Sequence, residues 1–335
     1  MTWTALSYVF SFLLSLGISL ALTPWMARTA ARVGLVDSPD GALKTHEKAV
    51  PYMGGLAVFV AFLVGFLPFY ELDKEVLAIL LGATLIVLLG FLDDMGNLPP
   101  MTKLLGQTLA ILIVLKAGVA IKIAFLPPVV SYPLSFFWLL GLTNGFNLID
   151  IMDGLSSGVG AIACLFLFLL SYSAGQWGVA LMTTALFGAL LGFLRYNSCP
   201  AKIYLGDAGS LFIGFMLGAL SMVGIYARTN PVALLAPVLI LGVPIFDTLF
   251  VMVIRWRRGI PVMWGSPDHF ALRLRKWRLS VGQTVQVSYL SSFLLGVGAL
   301  LMVFGSQTVA VGVLSAVSIL TLIAALWLKR IDMVL

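Results

Sequence analysis

Charge is scarce in this sequence. Of 335 residues, 10% are Asp, Glu, Lys or Arg and 61% are apolar, against about 25% charged and 45–50% apolar in ordinary soluble domains. A water-soluble globular core is thereby excluded. Cysteine is nearly absent: Cys164 and Cys199 are too few for a disulfide framework and say little about redox compartment. No basic residue precedes the first apolar stretch, whose first charge is Arg28 on its far side; a cleavable secretory signal has its basic residues first. Long linkers, low-complexity tracts and visible internal repeats are also missing, so residues 1–335 read as one membrane domain.

What is present is apolar sequence in long runs. Eleven stretches approach the roughly 20 residues needed to cross about 30 Å of hydrocarbon: 3–23, 53–70, 76–92, 104–121, 132–147, 155–173, 178–194, 209–226, 232–254, 284–304 and 307–328. They lack period-2 alternation, which selects helices over a barrel. The expected fold class is all-α, a polytopic transmembrane helical bundle of about 11 spans. Counting connections from an outside N-terminus puts sixteen Lys and Arg inside, and only Lys74, Lys116, Lys122 and Arg228 outside. The positive-inside rule then predicts N-out, C-in. The net charge of +6 is spread over short loops with no soluble domain behind them, so it reads as a topology signal that also meets anionic lipid or phosphate, with no nucleic-acid partner.

Five of the fourteen acidic residues lie in three tight motifs, all at inside ends of spans in this topology. GFLDDMGNLPP carries Asp93 and Asp94; it reads as a helix stop and turn, or as two carboxylates placed for Mg²⁺ coordination or base chemistry at the headgroup level. TNGFNLIDIMDGL spaces Asn144, Asn147, Asp150 and Asp153 every three residues, a drifting polar stripe that is costly near lipid without a ligand, metal or wet cleft. AKIYLGDAGSLF sets Asp207 between Gly206 and Gly209; alone it is an ordinary helix N-cap, and its weight comes from the other two.

Two inside loops are basic and hold the two histidines: LKTHEKAVPYMGG with His46 and Lys48, and RWRRGIPVMWGSPDHFALRLRKWR with His269 and Arg273. Most such cations are topological, but Arg and His also bind diphosphate oxygens through charge-assisted hydrogen bonds. Asp247, within the ninth apolar stretch, is either a structural hydrogen-bonded acid or a supporting group behind a site.

Taken in order, Pro51-Tyr-Met-Gly-Gly, Asp93-Asp94, Asn144 through Gly154, Gly206 through Ser210 and Ser266-Pro-Asp-His-Phe-Ala-Leu-Arg-Leu resemble the hallmarks of the polyprenyl-phosphate N-acetylhexosamine-1-phosphate transferases, glycosyltransferase family 4. The resemblance implies an enzyme that moves a sugar-1-phosphate, expected to be GlcNAc-1-phosphate, from a UDP-N-acetylhexosamine to undecaprenyl or another polyprenyl phosphate and releases UMP. It implies Mg²⁺, with Mn²⁺ as a substitute, held by Asp207 with help from Asp94 or Asp153, and Asp93 as candidate base. Asp150 completes the implied catalytic set. Lys48, Asn144, Asn147, Tyr204, His269 and Arg273 are the implied substrate contacts, with Tyr204 against uracil. It further implies a prokaryotic inner membrane, a cytoplasmic-facing site, lipid neighbours and a homodimer.

The chain departs from the family pattern in one place that matters. The late loop commonly reads H-x-H-H-R or carries three histidines, whereas Ala271 and Leu272 stand between His269 and Arg273. This places the chain nearer the undecaprenyl-phosphate N-acetylglucosaminyl 1-phosphate transferases than the phospho-N-acetylmuramoyl-pentapeptide transferase. Of readings outside the family, a polytopic transporter predicts charges near the bilayer midplane instead of acids at one surface, and the dense aspartate motif of CDP-alcohol phosphotransferases does not occur.

Overall fold

In the computed structural model, residues 3–37, 49–96, 98–123, 126–224, 226, 230–259, 268–331 and 333 are described. Thirteen α-helices dominate them: α1 (Trp3–Arg32), α2 (Gly54–Phe66, continued by a 3-10 turn Leu67–Phe69), α3 (Lys74–Gly96), α4 (Pro100–Lys116), α5 (Pro128–Leu148), α6 (Leu155–Ser173), α7 (Trp177–Asn197), α8 (Gly206–Val223), α9 (Ala236–Ile240, after a 3-10 turn Pro231–Leu235), α10 (Gly242–Arg257), α11 (Phe270–Lys276), α12 (Val281–Phe304) and α13 (Gln307–Lys329). The described strands are two-residue pieces, β1 (Val36–Asp37) and β2 (Val50–Pro51), paired antiparallel with Val36 opposite Pro51.

Each expected apolar stretch lies on helix, because a backbone in hydrocarbon must satisfy its own hydrogen bonds. Eight helices are long and apolar enough to cross a membrane, and the segment Pro231–Arg257 makes a ninth if its two arms, bent by 76°, are one span. The bend has a local cause: Pro244 has no N–H for the carbonyl four residues back, so the helical ladder breaks near Leu241. Gly54–Phe69 and the 17-residue α4 are shorter than a full span.

The bundle is built around α8, buried from Ala208 to Met222. Helices α2, α3, α5, α6 and α7 pack on it, α1 closes over α2 and α7, and α10 lies along α5. Small hydroxyls let the outer layer approach, as where Ser19 Oγ donates to the Ala189 carbonyl at 2.7 Å. At the periphery only Ala310 and Leu328 of α13 are buried, while Leu320 is 65% exposed. A helix so apolar on its outer face belongs against lipid tails, and the protein is an integral membrane protein.

Candidate active site

The three acidic motifs meet where the end of α3 touches the start of α8. Both oxygens of Asp94 are engaged there, accepting from the Asp207 N–H at 2.8 Å and the Ala208 N–H at 3.1 Å. The α8 N-terminus is thus capped by a carboxylate 113 residues away, a favourable pairing of negative charge with exposed amides. Gly206 makes room: its φ is +74°, and a Cβ there would stand 2.6 Å from Asp94 Oδ2. On the other side, a Cβ on Gly55 would lie 2.2 Å from the Gly209 nitrogen, so Gly55 of α2 is what allows α8 to approach. The preceding backbone is stitched to the same segment, with Tyr204 N–H donating to Pro51 O and Gly55 N–H to Leu205 O, both at 2.8 Å.

Asp93, one residue earlier, points about a quarter-turn away around the helix and shares a cation. Lys103 Nζ, on α4, lies 2.9 Å from Asp93 Oδ2, 2.5 Å from Asp207 Oδ2 and 3.4 Å from Asn147 Oδ1. Asn147 Nδ2 donates to Asp207 Oδ1 at 2.7 Å and reaches Ser210 Oγ at 3.0 Å. One turn along α4 and α5, Gln107 and Asn144 exchange amide hydrogen bonds of 2.8 and 3.2 Å. The amide stripe of α5 is therefore matched by an i, i+4 pair on α4. Lys103 and Gln107 were not among the expected site residues. A lysine and a glutamine four apart on an otherwise apolar helix are the signal that would have exposed them, since each needs a partner beside lipid.

Asp150 and Asp153 sit in the turn between α5 and α6. Burial, then the charges of Asp207, Asp94 and Asp153, push the Asp150 carboxyl well above the usual carboxylate range. Asp153 Oδ2 accepts from the Ala201 N–H at 2.9 Å. The turn is bolted down by Asn197, whose Oδ1 receives the Gly154 N–H and whose Nδ2 donates to Ile203 O, and by the Tyr289 hydroxyl, which donates to Gly154 O at 2.6 Å. Tyr204 lies beside this turn with its ring centroid 6.5 Å from that of Tyr52. Burial and the charges of Asp153 and Asp37 push the Tyr204 hydroxyl up to about 12, so it stays a neutral aromatic surface.

The late basic segment is anchored elsewhere in the bundle. Asp247, fully buried on α10, accepts from His269 Nδ1 at 2.6 Å and from the Phe270 N–H at 2.8 Å. Asp268 Oδ1 is shared by Arg258 at 2.9 Å and Arg273 at 2.7 Å. Arg273 also donates to the carbonyls of Leu328 and Ile331 and lies over the Phe250 ring at 5.3 Å. Much of the guanidinium is therefore spent on holding α11 to α10 and to the end of α13. Lys48, His46, Ser266 and Pro267 lie outside the described residues.

The donor set of the cluster is oxygen throughout, the chemistry that suits Mg²⁺ or Mn²⁺. Among the described residues no three carboxylate, histidine or cysteine side chains lie close enough together to hold a metal ion by themselves. The chain fits Mg²⁺ in the way that ion is usually taken, with one or two carboxylates while waters and substrate phosphates fill the rest. Lys103 marks the place where positive charge is wanted, between Asp93 and Asp207.

A buried helical bundle with an accessible acid-amide-lysine cluster at helix ends defines a membrane enzyme of the phosphoryl-transfer kind, and the comparisons give the particular family. Residues 76–225 match the family description "Glycosyl transferase family 4". The chain is 34% identical over 304 residues to a probable undecaprenyl-phosphate N-acetylglucosaminyl 1-phosphate transferase of Bacillus subtilis, covering 88% of this chain and 84% of that protein. It is 30% identical to the decaprenyl-phosphate N-acetylglucosaminephosphotransferase of Mycolicibacterium smegmatis, covering 89% and 83%, and 32% identical to the phospho-N-acetylmuramoyl-pentapeptide-transferase of Halalkalibacterium halodurans, covering 81% and 89%. The chain belongs to glycosyl transferase family 4, a family of phosphotransferases. The transporter reading finds no support in these relatives.

Proposed function

We propose that this protein transfers N-acetylglucosamine-1-phosphate from UDP-N-acetylglucosamine to a polyprenyl phosphate in a bacterial inner membrane, releasing UMP at a cytoplasmic-facing site. The observation that carries the reading is the Asp93–Lys103–Asp207–Asn147 cluster, in a chain whose relatives bear that activity in their names. In the reaction, an oxygen of the acceptor phosphate forms a bond to the β-phosphorus as the bridging bond to the α-phosphate breaks, and UMP carries the electron pair away. At neutral pH the acceptor monoester is already largely dianionic, its second pKa being about 6, so its activation needs position more than a base. Asp93, fixed by the Leu98 N–H at 2.6 Å and by Lys103, orients the acceptor and takes up any remaining proton.

Asp207 is the residue that would hold Mg²⁺, and the ion would neutralise charge on the diphosphate. Asp94 supports Asp207 from behind through its backbone amide. Asp153 and Asp150 line the nucleotide side, and Tyr204 with Tyr52 offers aromatic faces for the uracil. His269 contacts the diphosphate or sugar. The helices of full span length would leave the isoprenoid tail in the bilayer while its phosphate reaches the cluster, and the concentration of Lys and Arg on one set of connections supports a cytoplasmic face for it. The purified protein should release UMP from UDP-N-acetylglucosamine only when polyprenyl phosphate and Mg²⁺ are both present. Preference for another sugar in a panel of UDP-N-acetylhexosamines would change the substrate, and no release from any of them would end the proposal.

A further inference from the structure

A fully buried carboxylate in a membrane helix needs a reason to be there. Asp247 is 0% exposed, and its two oxygens are divided between two atoms of consecutive residues: Oδ2 meets the His269 ring at Nδ1, and Oδ1 receives the first amide of α11 from Phe270. His269 is the residue that opens α11, with extended backbone angles of −60° and 144°. Its side chain keeps 7% of its surface accessible. The ring nitrogen is paired with Asp247, while Oδ1 of the neighbouring Asp268 is shared by Arg258 and Arg273; Arg255 is a further charged group beside both aspartates.

The helix that carries Asp247 also packs on the helix that carries the amides of the acid-lysine cluster. Helix α10 rests on α5 at Gly145, where an added Cβ would meet Thr248 Oγ1 at 3.1 Å and Pro244 O at 3.5 Å. Thr248 follows Asp247, and Gly145 lies between Asn144 and Asn147. Asp247 is therefore carried by the helix packed against the one whose amides hold Gln107, Lys103 and Asp207.

We infer that Asp247 is a positioning residue for the transfer reaction: it fixes the His269 ring with Nδ1–H directed inward, so that Nε2 is the nitrogen offered to the donor's diphosphate or sugar. The inference rests on the proposed contact between His269 and that substrate. A carboxylate on Nδ1 selects the tautomer and stabilises an imidazolium when an anion approaches the other nitrogen. This chain depends on one ring for that contact, since Ala271 is fully buried and Leu272 is aliphatic.

Asp247→Asn is nearly isosteric and keeps an oxygen for the Phe270 amide, but it turns an N–H toward the ring. In the full-length purified enzyme, kcat/KM for the UDP-sugar should fall about tenfold, through KM for the UDP-sugar while KM for the polyprenyl phosphate holds, as expected for loss of one charge-assisted hydrogen bond. His269→Ala should lose as much, and the double variant no more than His269→Ala alone. Multiplying losses, or an Asp247→Asn enzyme with wild-type kcat/KM, would overturn the positioning role. A His269→Ala enzyme with wild-type kcat/KM would instead remove the substrate contact on which the role rests. A readout independent of variants at Asp247 is ¹⁵N-histidine NMR, the two rings being distinguished by His46→Gln: a proton on Nδ1 of His269 is expected, and a neutral ring with bare Nδ1 sinks the inference.

Discussion

Two charged clusters in this molecule are made of similar side chains and differ in how completely they are closed. In the first, Lys103 at 18% exposure stands between Asp93 at 11% and Asp207 at 31%. In the second, Asp268 and Arg273 are each 1% exposed, and the guanidinium is shared among a carboxylate, two helix-end carbonyls and an aromatic face. A pair sealed from water can fix geometry but has little to offer a substrate. A cluster that keeps accessible oxygens around one movable ammonium can exchange partners when phosphates arrive. Accessibility, more than residue type, separates chemistry from scaffolding here.

The sharpest way to break that contrast is Asp207→Asn. It should lower kcat for UMP release by at least ~10³-fold, as for loss of a principal group stabilising transition-state charge, while the protein still extracts as a folded species; near wild-type turnover would erase the functional half of the comparison. Next in size is Arg273→Met, which leaves buried carbonyls and half of an ion network unpaired. It should destabilise the enzyme by about 3 kcal/mol, read as a lower thermal midpoint in detergent, with KM values unchanged in the surviving fraction. A raised KM for the UDP-sugar at unchanged stability would move Arg273 into the substrate site. The smallest effect is expected for Lys103→Gln, which keeps hydrogen bonding but removes the charge: kcat should drop roughly tenfold to a hundredfold, and the Mg²⁺ concentration for half-maximal activity should fall because the bare carboxylates attract a cation more strongly. An increase in that concentration would show that the lysine helps to assemble the ion site.

The helices were legible because a long apolar run has few alternatives to a helix once water is gone. The meeting of Asp93, Asp94, Asn147 and Asp207 was legible as a set of residue types at helix ends. The partition of labour within the set was not. Asp94 and Asp93 look equivalent in sequence, but one caps α8 and the other faces Lys103. Lys103 itself reads as a topology signal because two of its three partners, Asn147 and Asp207, lie 44 and 104 residues away and the third, Asp93, lies across the turn between α3 and α4. Arg273, aimed at the diphosphate by the family pattern, has partners at the end of α13 and just beyond it, 55 and 58 residues downstream. Such choices are set by tertiary contacts that no local spacing encodes. The stretch expected over 53–70 is helical over 54–69 with its last turn tightened to a 3-10 turn, and the stretch expected over 104–121 is shifted towards the N-terminus as the helix Pro100–Lys116, which carries the lysine that serves the cluster.

The adjacent carboxylates at the end of α3 point about 100° apart, as consecutive residues on a helix must. Which of them anchors and which reacts is therefore decided by rotational phase alone. Substitution along the lipid-facing side of α3 leaves that phase untouched, whereas losing or gaining a single residue between Gly90 and Asp93 would turn one acid to the other's bearing and carry the second away from its partners. Across relatives, this stretch should hardly vary in length, and Gly90 should persist because a Cβ there would stand 2.5 Å from the Ala208 backbone.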